Sequence, residues 1–280
     1  MLKSDNFPCL NNTAPGITCE IHYDATPGKV GYWYQISSIQ LPSFGLRCYP
    51  EIIVTNYRLK HLHTLDLSGT DNHIDIDTLR LFLLPSVPNI QHLDVGYAIT
   101  NARTSLQEDD TTPWRRTLIH GTFSLCNNLL SLRYIDLTNA NMEDSLLDAE
   151  CMNSLVELKT LYLDGNNISM TECKQGLASM NRSETSAKLE KIRIGRNPLL
   201  SNVAECFKIS TLQELSMTDS TSMVGAFPSD LCAASASLIT LDLSGSLHLT
   251  SLPNCLSTMS KLKTLYVKLN LCFWLSIYIP

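Results

Sequence analysis

Apolar residues recur along this chain at one internal spacing: an apolar position, a second at +3 and a third at +5. The nine triplets are Ile36-Ile39-Leu41, Leu62-Leu65-Leu67, Ile90-Leu93-Val95, Leu132-Ile135-Leu137, Leu158-Leu161-Leu163, Leu189-Ile192-Ile194, Leu212-Leu215-Met217, Leu238-Leu241-Leu243 and Leu262-Leu265-Val267. Their starts lie 26, 28, 42, 26, 31, 23, 26 and 24 residues apart. Most residues between them, at +2, +4 and +6, are polar. This alternation predicts a short strand whose +3 and +5 side chains point inward while +2, +4 and +6 face solvent. A unit repeated every ~20–29 residues buries its apolar face only against its neighbours, which predicts a solenoid. Parallel strands must return outside the sheet. The fold class is therefore an α/β solenoid, with a curved parallel sheet on the concave face. Short helices or irregular segments form the convex face, with weak helical or extended patterns at Ser145–Leu155 and Ala204–Thr211.

Around this core the expected organisation has three parts. Residues 1–35 hold Cys9, Pro15, Gly16, Cys19, Pro27, Gly28 and Gly31, then Tyr32-Trp33-Tyr34, and read as an N-terminal cap. Residues 36–272 are the solenoid, and 273–280 are an apolar end. Two coils are over-long. One carries a polar insertion at about 101–122, in which Trp114 stands between an acidic and a basic pair, and the other a Ser/Thr/Lys/Glu-rich stretch at 171–188. Per-repeat insertions map to loops on one face. A solenoid needs a polar cap, so an end on Phe273, Trp274 and Ile277 suggests a truncated chain.

Charge and cysteines narrow the setting. With 21 Lys and Arg against 27 Asp and Glu, the net charge is −6. That argues against general nucleic-acid binding, which needs a basic face. No apolar run reaches the ~18 residues of a membrane span, and the N-terminus lacks the apolar core of a secretory leader. The ten cysteines point the other way. Cys9 and Cys19 flank the leader, where a disulfide would close the cap over the solenoid's open end; the alternative is two free thiols. Cys126, Cys206 and Cys232 lie six residues before a repeat start, and Cys151 and Cys255 seven before. The plain expectation is buried packing as small hydrophobes, and the sharper one is bridging between adjacent coils. Asn11, Asn167 and Asn181 each begin an Asn-x-Ser/Thr acceptor triplet.

LKTLYLDGNNI (158–168), LEKIRIGRNPL (189–199) and LITLDLSGSLHLTSLP (238–253) resemble leucine-rich repeats, and the resemblance covers about 36–272. MVGAFPSDL (223–231) resembles the L-x-G-x-I-P turn of plant-type repeats, and CLNNTAPGITC (9–19) the cysteine cap of receptor ectodomains in plants and some protists. The resemblance implies a +8 asparagine whose amide bonds the backbone of adjacent coils. Asn166, Asn197 and Asn270 fill that position. Thr70, Ser220 and Ser246 are expected to substitute in part, whereas Ala98 and Ala140 cannot, so the amide ladder should break near the insertion.

No catalytic motif stands out, and neither a cofactor nor a metal site is expected. His61 and His63 lie near His92, yet the alternation puts His63 and His92 on different levels. Asp66, Asp94 and Asp136 occupy +4 of three consecutive strands. Like charges opposite one another in a sheet repel, and Ca²⁺ or a basic partner would relieve this; the plainer reading is solvated carboxylates of the repeat. Binding energy concentrates on Tyr, Trp and Arg. The candidate ligand-binding residues of the concave face are therefore Tyr97, Tyr134, Tyr162, Lys191, Arg193 and Arg196. The chain is expected to be a non-enzymatic, receptor-ectodomain-like module that binds a protein, peptide or glycan, extracellular or at the cell surface. The alternative is a cytoplasmic scaffold with reduced cysteines.

Overall fold

The computed structural model describes residues 16–24, 31–45, 47–48, 59–75, 87–100, 129–140, 142, 154–169, 189–201, 203 and 206–268. Cys9, Asn11, Asn181, Asn270, the 101–122 insertion with Trp114, the 171–188 stretch and the 273–280 end lie outside them. The described strands are, in chain order, β1 (Ile17–Asp24), β2 (Gly31–Gln40), β3 (Arg47–Cys48), β4 (Thr64–Asp66), β5 (His73–Asp75), β6 (His92–Asp94), β7 (Ile99–Thr100), β8 (Tyr134–Asp136), β9 (Thr160–Tyr162), β10 (Lys191–Arg193), β11 (Glu214–Ser216), β12 (Gly225–Ala226), β13 (Thr240–Asp242), β14 (Leu249–Ser251) and β15 (Thr264–Tyr266).

One ladder dominates. β2, β4, β6, β8, β9, β10, β11, β13 and β15 lie side by side in that order, each pair parallel. The register is the one the apolar spacing demands: Leu65 faces Leu93, Ile135 faces Leu161, and Ile192 faces Leu215. Equivalent +3 side chains therefore stack coil upon coil. From Leu65 to Leu241 they are at most 1% exposed, and the flanking +2 and +4 residues reach solvent in most strands. β1 pairs antiparallel with β2 and gives the first edge of the ladder a partner. An open strand edge is a template for unwanted pairing, so this hairpin blunts it.

Among the described residues the return segments carry little helix. Short 3₁₀ turns occupy Ser229–Ala234 and Asn254–Thr258, and two minor parallel sheets, β3-β5-β7 and β12-β14, run beside the core. Residues 206–211, inside a stretch with a weak helical or extended pattern, form turns and irregular backbone. The apolar residues there still point inward: Cys206, Phe207 and Ile209 are buried.

The cysteine expectation needs correction. Cys232 and Cys255 are not merely packed; they form a disulfide between adjacent return segments, with Cα atoms 5.6 Å apart. Cys19 and Cys206 are disulfide-bonded as well. Stacking places equivalent positions of neighbouring coils within disulfide reach, and that geometry prevails over simple burial.

The amide ladder is partly as expected. Asn166 Nδ2 donates to the carbonyls of Leu137 and Leu163, each at 2.9 Å, while its Oδ1 accepts from the N–H groups of Ala140 and Met142. Asn197 Nδ2 likewise bonds Leu163 and Ile194. In the Leu62 coil the substitute is not Thr70, which is exposed, but Asn72, whose Nδ2 reaches the carbonyls of Leu41 and Leu67. Ser246 Oγ donates to Met217 at 3.3 Å, whereas Ser220 Oγ is buried without a hydrogen-bond partner.

Each strand ends the same way. The N–H groups at +5 and +7 donate to the +4 and +6 carbonyls of the next coil, as Leu163 does to Arg193 and Gly165 to Gly195. Position +7 then takes a positive φ in every coil from Ser43 to Gly245. Gly165 fits there because a Cβ would lie 1.9 Å from Asn139 Oδ1 of the preceding coil. Tyr97 (φ 63°) and Arg196 (φ 52°) hold the same left-handed conformation with large side chains, against a steric cost.

Candidate functional site

The solvent-facing side of the ladder is built by the +2 and +4 residues, and the strand register decides which of them meet. Tyr134 and His92 are directly paired on β8 and β6, so their rings stack at 4.1 Å and 7°. Tyr162, two positions along on β9, meets Tyr134 edge-on at 5.6 Å and 76°. Arg193, in register with Tyr162 on β10, places its guanidinium 5.1 Å from that ring's centroid. The result is a continuous track across four strands, His92–Tyr134–Tyr162–Arg193. Such stacked and cation–π contacts hold large side chains in fixed positions.

Of the six candidate residues, Tyr134, Tyr162 and Arg193 are thus brought together. Arg193 Nε also pairs with Asp164 Oδ2 at 3.1 Å, and Lys191 pairs with Glu214 at 3.7 Å. Tyr97 and Arg196 form a separate contact: Arg196 Nη2 donates to the Tyr97 hydroxyl at 3.4 Å, bridging coils 99 residues apart in sequence. Both project from left-handed turns just beyond their strands. Ser43, Asn139 and Asp219 hold the same conformation at the equivalent position, so it belongs to the repeat.

The three stacked aspartates are in register, Asp66 beside Asp94 and Asp94 beside Asp136. Each carboxylate also accepts the N–H two residues ahead, from Ser68, Gly96 and Thr138 at 3.0, 3.0 and 2.9 Å. They therefore cap the local turn as well as charge the face. Burial, opposed by the Gly96 N–H and reinforced by Asp136 and Asp66, pushes the Asp94 carboxyl up to about 6. Burial lowers His92, although Asp66 and Asp136 pull the other way. Tyr134 is pushed well up by burial and then by Asp136 and Asp94, so it stays protonated and donates to Asp136 Oδ2 at 3.4 Å.

Sequence reasoning missed two parts of this arrangement. His92 was expected on the solvent face at +2 and as a weak metal candidate, but not among the binding residues, yet it opens the aromatic track; two ring residues at +2 of neighbouring strands were the available signal. Asp164 stands at +6, is nearly inaccessible, and is the counter-ion of Arg193, while its Oδ1 accepts from Gly195 N at 2.6 Å. Among the described residues no three His, Cys, Asp or Glu side chains group so as to hold a metal ion, and no helix is long and apolar enough to cross a membrane. A shallow cavity of about 330 Å³, lined by Val203, Met223, Val224 and Pro228 among others, lies on the return side. Asn167 is exposed.

Leucine-spaced +3 and +5 residues stacked in a parallel ladder, with the central coils tied together through Asn166 and Asn197, decide the architecture. The chain has the leucine-rich repeat fold. A search of family models and a search of curated proteins each found no match. Among solved structures it is similar to a leucine-rich repeat protein of Leptospira interrogans, at 17% identity over 76% of this chain and 56% of that one, with a TM-score of 0.38. It is also similar to the leucine-rich repeat ectodomain of the Arabidopsis thaliana membrane receptor kinase GASSHO1/SCHENGEN3, in complex with Casparian strip integrity factor 2, at 15% identity, 94% and 41% coverage and a TM-score of 0.23. The chain thus spans less than two thirds of either structure's length.

Proposed function

We propose that this leucine-rich repeat chain is a non-enzymatic interaction module that holds a protein or peptide partner on the open face of its ladder, in a receptor-like role. The single observation that supports this most is the His92–Tyr134–Tyr162–Arg193 track. Tyr and Arg bury much area and make directed bonds, and here they are already ordered, so little side-chain freedom is lost on binding. Nine strands at ~4.8 Å spacing make a face about 40 Å long, enough for a folded or extended partner. The Cys232–Cys255 bridge supports an oxidising, extracellular or cell-surface setting, and exposed Asn167 is the described candidate for glycosylation.

The test is retention on the immobilised full chain. Tyr134→Ala with Arg193→Glu should lose the proteins that wild type retains from an extracellular mixture, by about tenfold or more. Val224→Ser, on a return-side residue 73% exposed, should keep them. Equal retention by both variants overturns the reading. Compartment is checked separately: unfolded protein without reductant should titrate fewer than its ten cysteines.

A further inference from the structure

The two ends of the ladder differ. β1 pairs with β2 at one edge, whereas among the described residues no strand pairs with the outer edge of β15. The core of the last coil reflects this. Leu238, Leu241 and Leu243 are 0% exposed, while their equivalents one coil on, Leu262, Leu265 and Val267, are only half-buried. Leu256, on the 3₁₀ turn that leads into that coil, is half-buried as well. An apolar end surface therefore stays partly open.

Its border is basic. Asp242 is the last acidic residue of the chain, and Lys261, Lys263 and Lys268 follow it. All three are exposed and stand at −1, +1 and +6 of the last coil, so they flank β15 on both sides. Interior lysines have counter-ions, Lys159 with Glu190 and Lys191 with Glu214, but among the described residues none of these three is in an ion pair. Two copies set end to end would oppose lysine to lysine, which like-charge repulsion disfavours. Residues 269–280, LNLCFWLSIYIP, follow this coil directly, hold no charged side chain and include Phe273, Trp274 and Tyr278. Twelve residues are too few to cross a bilayer, but Trp and Tyr in an apolar stretch favour the membrane–water interface.

We propose that this end of the solenoid docks on an anionic lipid surface, with Lys261, Lys263 and Lys268 at the headgroups and residues 269–280 in the interfacial layer. Unpaired lysines beside a bilayer are drawn to anionic lipid, and the apolar segment adds burial. Chemistry sets the depth. An edge strand presents N–H and C=O groups that need water or headgroup partners, so β15 stops at the headgroups. The ladder then stands on the membrane by its last coil. Its open face looks sideways, and the docking uses no residue of the His92–Tyr134–Tyr162–Arg193 track.

The experiment is co-flotation of the full chain with vesicles of phosphatidylcholine alone, or of an equal mixture with phosphatidylserine, at physiological ionic strength. Mixed vesicles should bind it about tenfold or more better than phosphatidylcholine. Lys263→Gln with Lys268→Gln should weaken that binding about tenfold or more. Lys60→Gln with Lys208→Gln removes the same charge from exposed sites in earlier coils and should leave it unchanged. Tryptophan emission should shift to the blue on mixed vesicles, and Trp274→Phe should lose the shift while still binding. Absence of binding to mixed vesicles would overturn the proposal. Equal losses in the two lysine pairs would overturn it too, since net charge alone would then explain binding. A blue shift that survives Trp274→Phe would overturn the placement of residues 269–280 in the interface. Retention on immobilised octaglutamate, with none on mixed vesicles, would assign this end to an acidic protein segment and overturn the lipid surface.

Discussion

Replacing Asp94 by asparagine should stabilise the fold near neutral pH, and the structure sets the size of the effect. The variant side chain would keep an oxygen to accept the Gly96 N–H, 3.0 Å away in the native protein. It would lose only the charge that sits half-buried between Asp66 and Asp136. The native carboxyl is raised from 3.8 to about 6, first by burial. A displacement of that size corresponds to about 3 kcal/mol at full strength. Asp94 is partly open to solvent, and screening reduces this to about 1–1.5 kcal/mol. The sign follows from proton binding: between about pH 4 and 6 the native state holds a proton that the unfolded chain has released, so native stability falls as pH rises through that window. Asp94→Asn should therefore gain little at pH 4 and its full increment above about pH 6. Thermal unfolding followed by circular dichroism should show Tm higher by about 2–4 °C at pH 7, with the gap closing toward pH 4. A variant no more stable than wild type at pH 7, or a gap independent of pH, would refute the electrostatic reasoning. A stabilising substitution at an exposed face also carries a functional meaning, since a charge kept against stability is expected where it is used.

Three further outcomes follow from the coil contacts. Asn166→Ala leaves two carbonyls and two N–H groups of adjacent coils without their partner and should cost about 2–4 kcal/mol, whereas Ser220→Ala, which deletes a buried hydroxyl with no hydrogen bond, should be neutral or stabilising in the same urea titration. Gly165→Ala forces a Cβ against Asn139 and should cost well over the ~1 kcal/mol of left-handed strain that Gly45→Ala, with open space around it, should show. Cys255→Ser opens a 23-residue loop and should lower stability by about 3 kcal/mol, and mass spectrometry of unreduced peptides should recover the Cys232–Cys255 pair.

The ladder was legible because its signal is local and repeated. Leu161 and Leu241 are inward for the same reason, three residues after an apolar start, and periodicity of that kind survives any variation in the return segments. Tyr134, Tyr162, Lys191 and Arg193 were found by the same alternation, and Tyr97 and Arg196 by their place at +7, but their partners were not. Arg193 looks like a free cation in sequence; Asp164, which neutralises it, sits 29 residues earlier, and only the register brings them to 3.1 Å. Thr70 lay at the expected +8 position, yet the backbone turned so that Asn72 delivers the amide instead. The Cys232–Cys255 bridge was one of two readings because spacing alone does not distinguish packing from bonding. Tyr97 and Arg196 looked like ordinary concave residues, and their left-handed backbone becomes visible only against Gly69, Gly165 and Gly245 at the equivalent position.

The central claim is that coils support only their neighbours while holding one shared register. Hydrogen exchange of the Leu161→Ala variant, read by mass spectrometry across the strands, tests it most directly. Leu161 is 1% exposed and stacks between Ile135 and Ile192, so exchange should quicken most at β8, β9 and β10 and fade toward β4 and β15. Equal loosening of all strands, or loosening confined to strands that do not adjoin β9, would contradict it.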